Sequence, residues 1–249
     1  MPLATPAPPS TDPHFTLTGC GPTPGLRAVL YDLDGVLLDS IRLMAAVISE
    51  VTEAALGRKP TDAAVVDVLA MPPATALHAL GVTDPHTALY RHFDTAYARH
   101  AHLATVNPDA VTVLRQFHEA GIRQGIVTLQ RRHRLHLLDL STIAPLIDTV
   151  VCYDDAPPKP APAPIWRALT ALAAPGFQTW YVGDTTTDIA AARAAGIRVA
   201  GATWGYHSAA LLRHAGADIL LDHPSQIRFL TGAAPTHAHP SVPIQDGHR

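Results

Sequence analysis

Cysteine is nearly absent from this chain. Cys20 and Cys152 are the only two in 249 residues, too few for a disulfide scaffold or for a zinc site built on cysteine alone. Charge is also sparse, at 16% of residues with a formal net charge of −3, so no basic field points to nucleic acid or to an anionic membrane surface. No apolar run approaches the roughly 18 residues of a membrane span. No Lys or Arg precedes Arg27, so the N-terminus lacks the charged region of a secretory signal. Lysine itself occurs twice, as Lys59 and Lys159, among 18 Lys and Arg residues. The length remains, and it accommodates one large domain or two small ones with a core that needs no staples. The expectation is a cytoplasmic globular protein, a monomer or homodimer, with no nucleic-acid or membrane partner.

Proline and glycine mark the organisation. Residues 1–24 carry seven prolines and almost no apolar periodicity; like residues 232–249, they read as extensions that cannot repay their ordering entropy. Between them, short apolar runs alternate with helical stretches. Leu26–Leu33 closes on Asp34-Gly35, the profile of a buried strand meeting a turn. Similar strands are expected at Gly125–Leu129, Val150–Tyr153, Thr179–Val182, Arg198–Gly201 and Asp218–Leu221. Helices are expected at Asp109–Ala120, Arg131–Leu140, Pro162–Ala173, Thr187–Ala195 and Ser208–His214, several ending at glycine. This alternation predicts an α/β fold with a mostly parallel sheet covered on both faces. Residues 41–106 break it, reading as consecutive helices at Ile41–Leu56, Asp62–Leu69, Pro73–Leu80 and Thr87–Leu103. A helical insert after the first strand predicts a smaller second domain, a cap over the carboxyl ends of the strands. The core is then 25–40 and 107–231, and the linkers lie around Asp39-Ser40 and Thr105–Pro108.

The chemistry concentrates at predicted strand ends. Asp32 and Asp34 close the first strand two residues apart; a turn alone can explain such a pair, but adjacent carboxylates are costly without a cation between them. Val182-Gly183-Asp184-Thr185-Thr186-Thr187-Asp188 repeats the pattern: strand, glycine turn, and two acids four apart. Strand ends of a parallel sheet converge on one edge, where four carboxylates suit Mg²⁺, a hard oxygen-seeking cation. Thr128, at the end of another strand, offers a hydroxyl and an N–H to phosphate oxygens. Lys159 lies between prolines in Pro157-Pro158-Lys159-Pro160. In a chain that otherwise prefers arginine, it reads either as a solvated loop residue or as a compact point charge for phosphate.

Taken in order, DLDGVLLDS, IVT, KPAPAP and VGDTTTDIAAARAAG resemble the four motifs of the haloacid-dehalogenase-like hydrolases, and the phosphoglycolate-phosphatase-like branch resembles this chain best, over about residues 26–230. The resemblance implies a Rossmann-like core, a mobile helical cap and Mg²⁺-dependent phosphoryl transfer through an aspartyl phosphate. It implies that Asp32 is the nucleophile, and that Asp34 is first the general acid and then the general base. Asp32, the backbone carbonyl of Asp34 and Asp184 would hold Mg²⁺, with Asp188 assisting directly or by orienting Lys159. Thr128 and Lys159 would neutralise the transferring phosphoryl group. The implied function is hydrolysis of a small phosphorylated metabolite, a phosphate monoester. A phosphomutase of the same family, or a non-catalytic binding protein on this scaffold, are the other readings.

Three segments depart from the branch's pattern. Leu129-Gln130 follow Thr128 where Asn is usual, placing an apolar residue where a polar contact near the phosphate or its approach is expected. The cap turn Ala70-Met71-Pro72-Pro73 replaces Gly-x-Pro, which makes Met71 and Pro73 candidates for selectivity. Val106-Asn107-Pro108-Asp109 replaces Pro-Gly-Val at the entry to the core. The 15 histidines show no enrichment in the cap and, with no third ligand near His133 and His136, no zinc site. Arg42, Arg91 and Arg99 read as solvated cap charges, and Cys152 as a small buried hydrophobe.

Overall fold

The run after Gly25 folds as β1 (Ala28–Tyr31), with all four residues buried. In the computed structural model, which describes residues 25–232, it is followed by β2 (Leu38–Asp39), α1 (Ile41–Leu56), α2 (Asp62–Val68), α3 (Pro73–Ala79), α4 (Pro85–His100) and β3 (Thr105–Val106). The second half runs α5 (Pro108–Glu119), β4 (Arg123–Val127), α6 (Arg132–Leu135), β5 (Thr149–Val151), α7 (Ala163–Leu172), β6 (Thr179–Gly183), α8 (Thr186–Ala194), β7 (Arg198–Ala202), α9 (Ala209–Ala215) and β8 (Ile219–Leu221). The expected terminal extensions, residues 1–24 and 233–249, lie outside the described residues.

Six strands form one sheet in the order β5-β4-β1-β6-β7-β8, and every pairing is parallel. Strand side chains alternate between faces, and β1 shows how both faces are filled. Val29 and Tyr31 pack with Ala110, Val113, Leu114 and Phe117 of α5. Ala28 and Leu30 face Ile165, Ala168 and Leu172 of α7, Ile189 of α8 and Leu212 of α9. A central strand covered on both faces must be apolar throughout, which is why it read as an unbroken run rather than an alternating one.

The cap is the helical insert α1–α4. Leu43, Val47 and Val51 make one stripe of α1, and Phe93, Ala96 and Tyr97 make the buried face of α4; spacings of three and four residues bring such side chains to one side. They join the core cluster through Leu33, Val36, Leu37 and Leu38. The two linkers pair with each other as a short antiparallel ribbon, Leu38 opposite Val106 and Asp39 opposite Thr105, extended by the Asn107 N–H to the Leu37 carbonyl at 2.9 Å. The unusual core entry has a local reason. Asn107 caps α5, its Oδ1 accepting from the backbone N–H groups of Asp109 (3.0 Å) and Ala110 (3.3 Å), and Pro108 opens the helix, where no N–H is needed.

One helix is shorter than expected. The stretch from Arg131 predicted a helix to Leu140, but α6 stops at Leu135. Three basic residues fill its first turn without a side-chain cap, which opposes the positive end of the helix dipole. Arg131 and Arg132 turn to Asp154 and Asp155 instead.

Candidate active site

Parallel strands deliver their carboxyl ends to one edge, and three neighbouring strands there carry the chemistry. Asp32 follows β1, Thr128 follows β4 and Asp184 follows β6. The ladder continues one residue past the strands, with the Asp32 N–H donating to the Val182 carbonyl and the Thr128 N–H to the Val151 carbonyl, each at 2.9 Å. Two glycines let loops close onto Asp184. Gly35 has a φ of +76°, and a Cβ there would sit 2.1 Å from Asp184 Oδ2; at Gly205 it would sit 2.2 Å from the same atom. Either side chain would displace the carboxylate.

Lys159 is buried at the centre of this edge. Its Nζ lies 3.0 Å from Asp32 Oδ1 and 2.6 Å from Asp188 Oδ1, and donates to Tyr181 Oη at 2.9 Å and to the Val127 carbonyl at 3.0 Å. Burial alone would depress the ammonium, but the Asp188 and Asp32 carboxylates outweigh it and hold its pKa above the ordinary lysine value. The solvated-loop reading of Lys159 is thereby replaced by a buried point charge.

Asp188 spends all its acceptor capacity on the protein. Its Oδ1 accepts from Lys159 and from the Tyr181 hydroxyl (3.0 Å). Its Oδ2 accepts from the Thr185 N–H (3.0 Å) and hydroxyl (2.6 Å) in a capping box at the start of α8. A carboxylate has about four lone-pair sites, so Asp188 is built to hold Lys159. Asp184 differs: Oδ2 accepts from the Tyr206 N–H at 2.7 Å, while Oδ1 is buried with no partner among the described residues. Asp32 uses Oδ1 for the Leu33 N–H (2.8 Å) and Lys159, which leaves Oδ2 open.

Carboxylate oxygens of Asp32, Asp184 and Asp188 lie within 4.8 Å of one another. Burial, then the neighbouring negative charges, push Asp184 well above the usual carboxylate range. Burial pushes Asp32 up to about 7 even with Lys159 beside it. Buried acids in this state, one with an orphaned oxygen, fit a divalent cation, which would supply the missing charge.

The Asp34 carboxylate turns away from this group. Gln130 Nε2 donates to its Oδ2 at 2.9 Å, and the Gln130 backbone N–H donates to Thr128 Oγ1 at 3.0 Å. Burial raises the Asp34 carboxyl, opposed first by this amide. Leu129 is 45% exposed while Gln130 is 7% exposed. The apolar residue that departs from the branch's pattern thus faces out, and a polar group one position later reaches the site.

Cap and core touch around the same edge. Asp94 of α4 accepts from Arg134 Nε at 2.6 Å, and His133 Nε2 lies 3.2 Å from its other oxygen. The Thr186 N–H donates to His207 Nδ1 (3.1 Å), so His207 Nε2 carries the proton and donates to the Ala70 carbonyl (3.0 Å) in the cap turn. Arg99, one of the cap charges, pairs with Glu50 within the cap. Tyr181, Tyr206, Gln130 and Gly205 escaped the sequence reading as site residues. Tyr181 looked like a strand core residue and Gln130 like part of a departure; the only available signal for Tyr206 and Gly205 was their place in Thr203-Trp204-Gly205-Tyr206, after a strand end.

Comparison with known proteins agrees with this construction. A family model described as haloacid dehalogenase-like hydrolase matches residues 29–202. A phosphoglycolate phosphatase of Pseudomonas fluorescens is 28% identical over 240 residues, covering 88% of this chain and 88% of its own. A pyrophosphatase PpaX of Bacillus velezensis is 29% identical over 211 residues, covering 83% and 97%. The fold is shared with a solved haloacid dehalogenase-like hydrolase of Streptococcus pneumoniae, at a TM-score of 0.71 and 21% identity over 82% of this chain and 97% of that one. Among the described residues no helix is long and apolar enough to cross a membrane. With its acid-bearing strand ends, buried lysine and helical cap inserted after the first strand, the chain belongs to the haloacid dehalogenase-like hydrolase family.

Proposed function

We propose that this protein is a Mg²⁺-dependent phosphatase that hydrolyses a small phosphorylated metabolite, a phosphate monoester, through an aspartyl phosphate on Asp32. The observation that carries this reading is the pairing of an open Asp32 Oδ2 with a second, separately held carboxyl at Asp34, beside the buried Lys159 ammonium 3.0 Å from Asp32 Oδ1. Asp32, the Asp34 backbone carbonyl and Asp184 would hold Mg²⁺, which would supply positive charge against the phosphate oxygens. Asp32 attacks phosphorus as the bond to the leaving oxygen breaks. Asp34 gives that oxygen its proton, so that the product departs as an alcohol. The Thr128 hydroxyl and the Lys159 ammonium counter the charge spread over the transferring group, the larger part of catalysis in such reactions. Asp34 then takes a proton from water, which attacks phosphorus, breaks the acyl-phosphate bond and restores Asp32. Asp188 acts through Lys159. The cap, hinged at the paired linkers, closes over the edge and limits water there.

The test is release of inorganic phosphate from a panel of phosphate monoesters. Excess chelator is expected to abolish release, Mg²⁺ to restore it, and Ca²⁺ to inhibit because its larger, looser coordination misplaces the nucleophile. Equal turnover in chelator removes the Mg²⁺ assignment, and isomerised substrate in place of free phosphate identifies a mutase.

The same acids make stability depend on pH. In the metal-free protein, Asp32 and Asp184 keep protons that an unfolded chain releases near pH 4. From about pH 4 up to about 7, the native state therefore binds more protons than the unfolded one, and stability is expected to fall as pH rises through that window. Mg²⁺ needs deprotonated carboxylates, so its stabilisation is expected to be larger at about pH 7.5 than at about pH 5. Thermal unfolding with chelator and with Mg²⁺ at both values checks this; equal shifts contradict it.

A further inference from the structure

Gln130 is a buried amide whose side chain makes a single bond. Its Nε2 donates to Asp34 Oδ2 at 2.9 Å, while its Oε1 has no hydrogen-bond partner among the described residues. A buried amide with one atom unpaired costs the fold stability, so its place is explained by what it does to Asp34. Its backbone is fixed on both sides. The N–H donates to Thr128 Oγ1 at 3.0 Å, and the carbonyl accepts from the Tyr153 N–H at 3.0 Å. The side chain thus reaches Asp34 from a mount that also holds the Thr128 hydroxyl. Asp34 is asymmetric in consequence. Oδ2 accepts from the amide, whereas Oδ1 is buried without a partner among the described residues. The neighbouring Ser40 hydroxyl pairs with Tyr206 Oη at 3.0 Å. A protonated carboxyl carries its hydrogen on one oxygen and accepts at the other. An N–H held against Oδ2 claims the accepting oxygen and leaves the hydrogen to Oδ1.

Resting on the phosphatase reading, we propose that Gln130 is a positioning residue that makes Oδ1 of Asp34 the oxygen that gives and takes the proton. In the first step Asp32 Oδ2 bonds to phosphorus and the ester P–O bond breaks. The Oδ1 hydrogen passes to the departing oxygen, which leaves as an alcohol. In the second step water bonds to phosphorus, one of its hydrogens passes to Oδ1, and the acyl-phosphate P–O bond breaks to return Asp32. Gln130 acts in both steps through Asp34. Without the amide either oxygen can hold the hydrogen and the carboxyl is free to turn, so part of the population holds the proton in the wrong place. Such an error is felt where a proton must move. An alkyl ester feels it, because an alkoxide is too basic to leave bare. An ester of an acidic phenol does not, because its phenolate departs without a proton.

The test uses the full chain with Mg²⁺ and the variant Gln130→Met, of similar shape. The substrates are p-nitrophenyl phosphate and the fastest alkyl ester among glycerol 1-phosphate, glucose 6-phosphate and 2-phosphoglycolate. kcat/KM covers the steps up to departure of the leaving group. It is expected to fall about 10²-fold for the alkyl ester, the scale on which misplacing a reacting group acts. For p-nitrophenyl phosphate it is expected to fall less than about threefold, since that leaving group needs little help from an acid. The second step is common to both esters and needs Asp34 as base. Nitrophenol should therefore appear in the variant as a burst of about one equivalent per active site, ahead of a slowed steady state. Asp34→Asn should show the same contrast between esters, and adding Gln130→Met to it should cost little more. Equal loss of kcat/KM on both esters overturns the proposal, as does unchanged turnover of the alkyl ester or a full further loss on top of Asp34→Asn. Wild-type release from p-nitrophenyl phosphate alone leaves Asp34 no leaving oxygen to protonate and overturns the positioning role only. Release from neither class overturns the phosphatase reading and the positioning role with it.

Discussion

Asp32→Asn is expected to lower phosphate release by roughly 10⁴-fold or more, the scale of loss when a covalent nucleophile is removed. An amide cannot form the acyl phosphate, and no neighbour can stand in for it. Lys159 is committed to Asp188, and Asp34 is held by Gln130. The fold should survive, since Asn keeps the shape, can still accept from the Leu33 N–H and removes a carboxyl that burial has already made reluctant to ionise. Mass spectrometry of the wild-type enzyme quenched during turnover should find the phosphoryl mass on the peptide carrying Asp32. A variant that retains more than about 1% of activity would falsify the covalent route.

Lys159→Met is expected to damage stability and activity together. The substitution keeps length but leaves Asp32 and Asp188 without the cation they share, and breaking a buried ion pair from one side typically costs about 3–5 kcal/mol. Loss of the charge beside the transferring phosphoryl group should lower kcat by about 10²–10³-fold in addition. Lys159→Arg should rescue neither effect, because a slot closed by Tyr181, Val127 and two carboxylates suits a compact ammonium. Urea unfolding of the wild type, Lys159→Met, Asp188→Asn and the double variant measures the coupling, and the double variant should cost less than the two singles combined. Additive losses would show that Asp188 does not act through Lys159.

Much of this was legible before any coordinates. Ala28–Tyr31 and Thr179–Gly183 are buried on both faces, so their residue types alone mark them as central parallel strands. Once the strands are parallel, Asp32, Thr128 and Asp184 must meet, because each stands one residue past a strand end. What escaped was orientation within loops. Leu129 and Gln130 exchange the roles their polarity suggests, since no periodicity governs the bend after β4. The ribbon between the linkers has two residues per strand, too few for an alternating pattern to register.

That ribbon bears on how such a protein can change over evolutionary time. Because Leu38–Asp39 and Thr105–Val106 are paired neighbours, everything between them is, for the sheet, a single closed excursion that leaves and returns at one point. The entropy of closing an excursion rises only slowly with its length, by about 0.6 kcal/mol for each doubling. The scaffold is therefore nearly indifferent to how large or what shape the inserted module is, provided its two ends still fit the ribbon. Tyr97 and the Ala70–Pro73 turn lie inside the excursion, whereas Asp32, Thr128, Lys159 and Asp184 lie outside it. Lineages can thus exchange or remodel the inserted module while the residues at the strand ends, to which the proposed function assigns the bond-breaking, stay as they are.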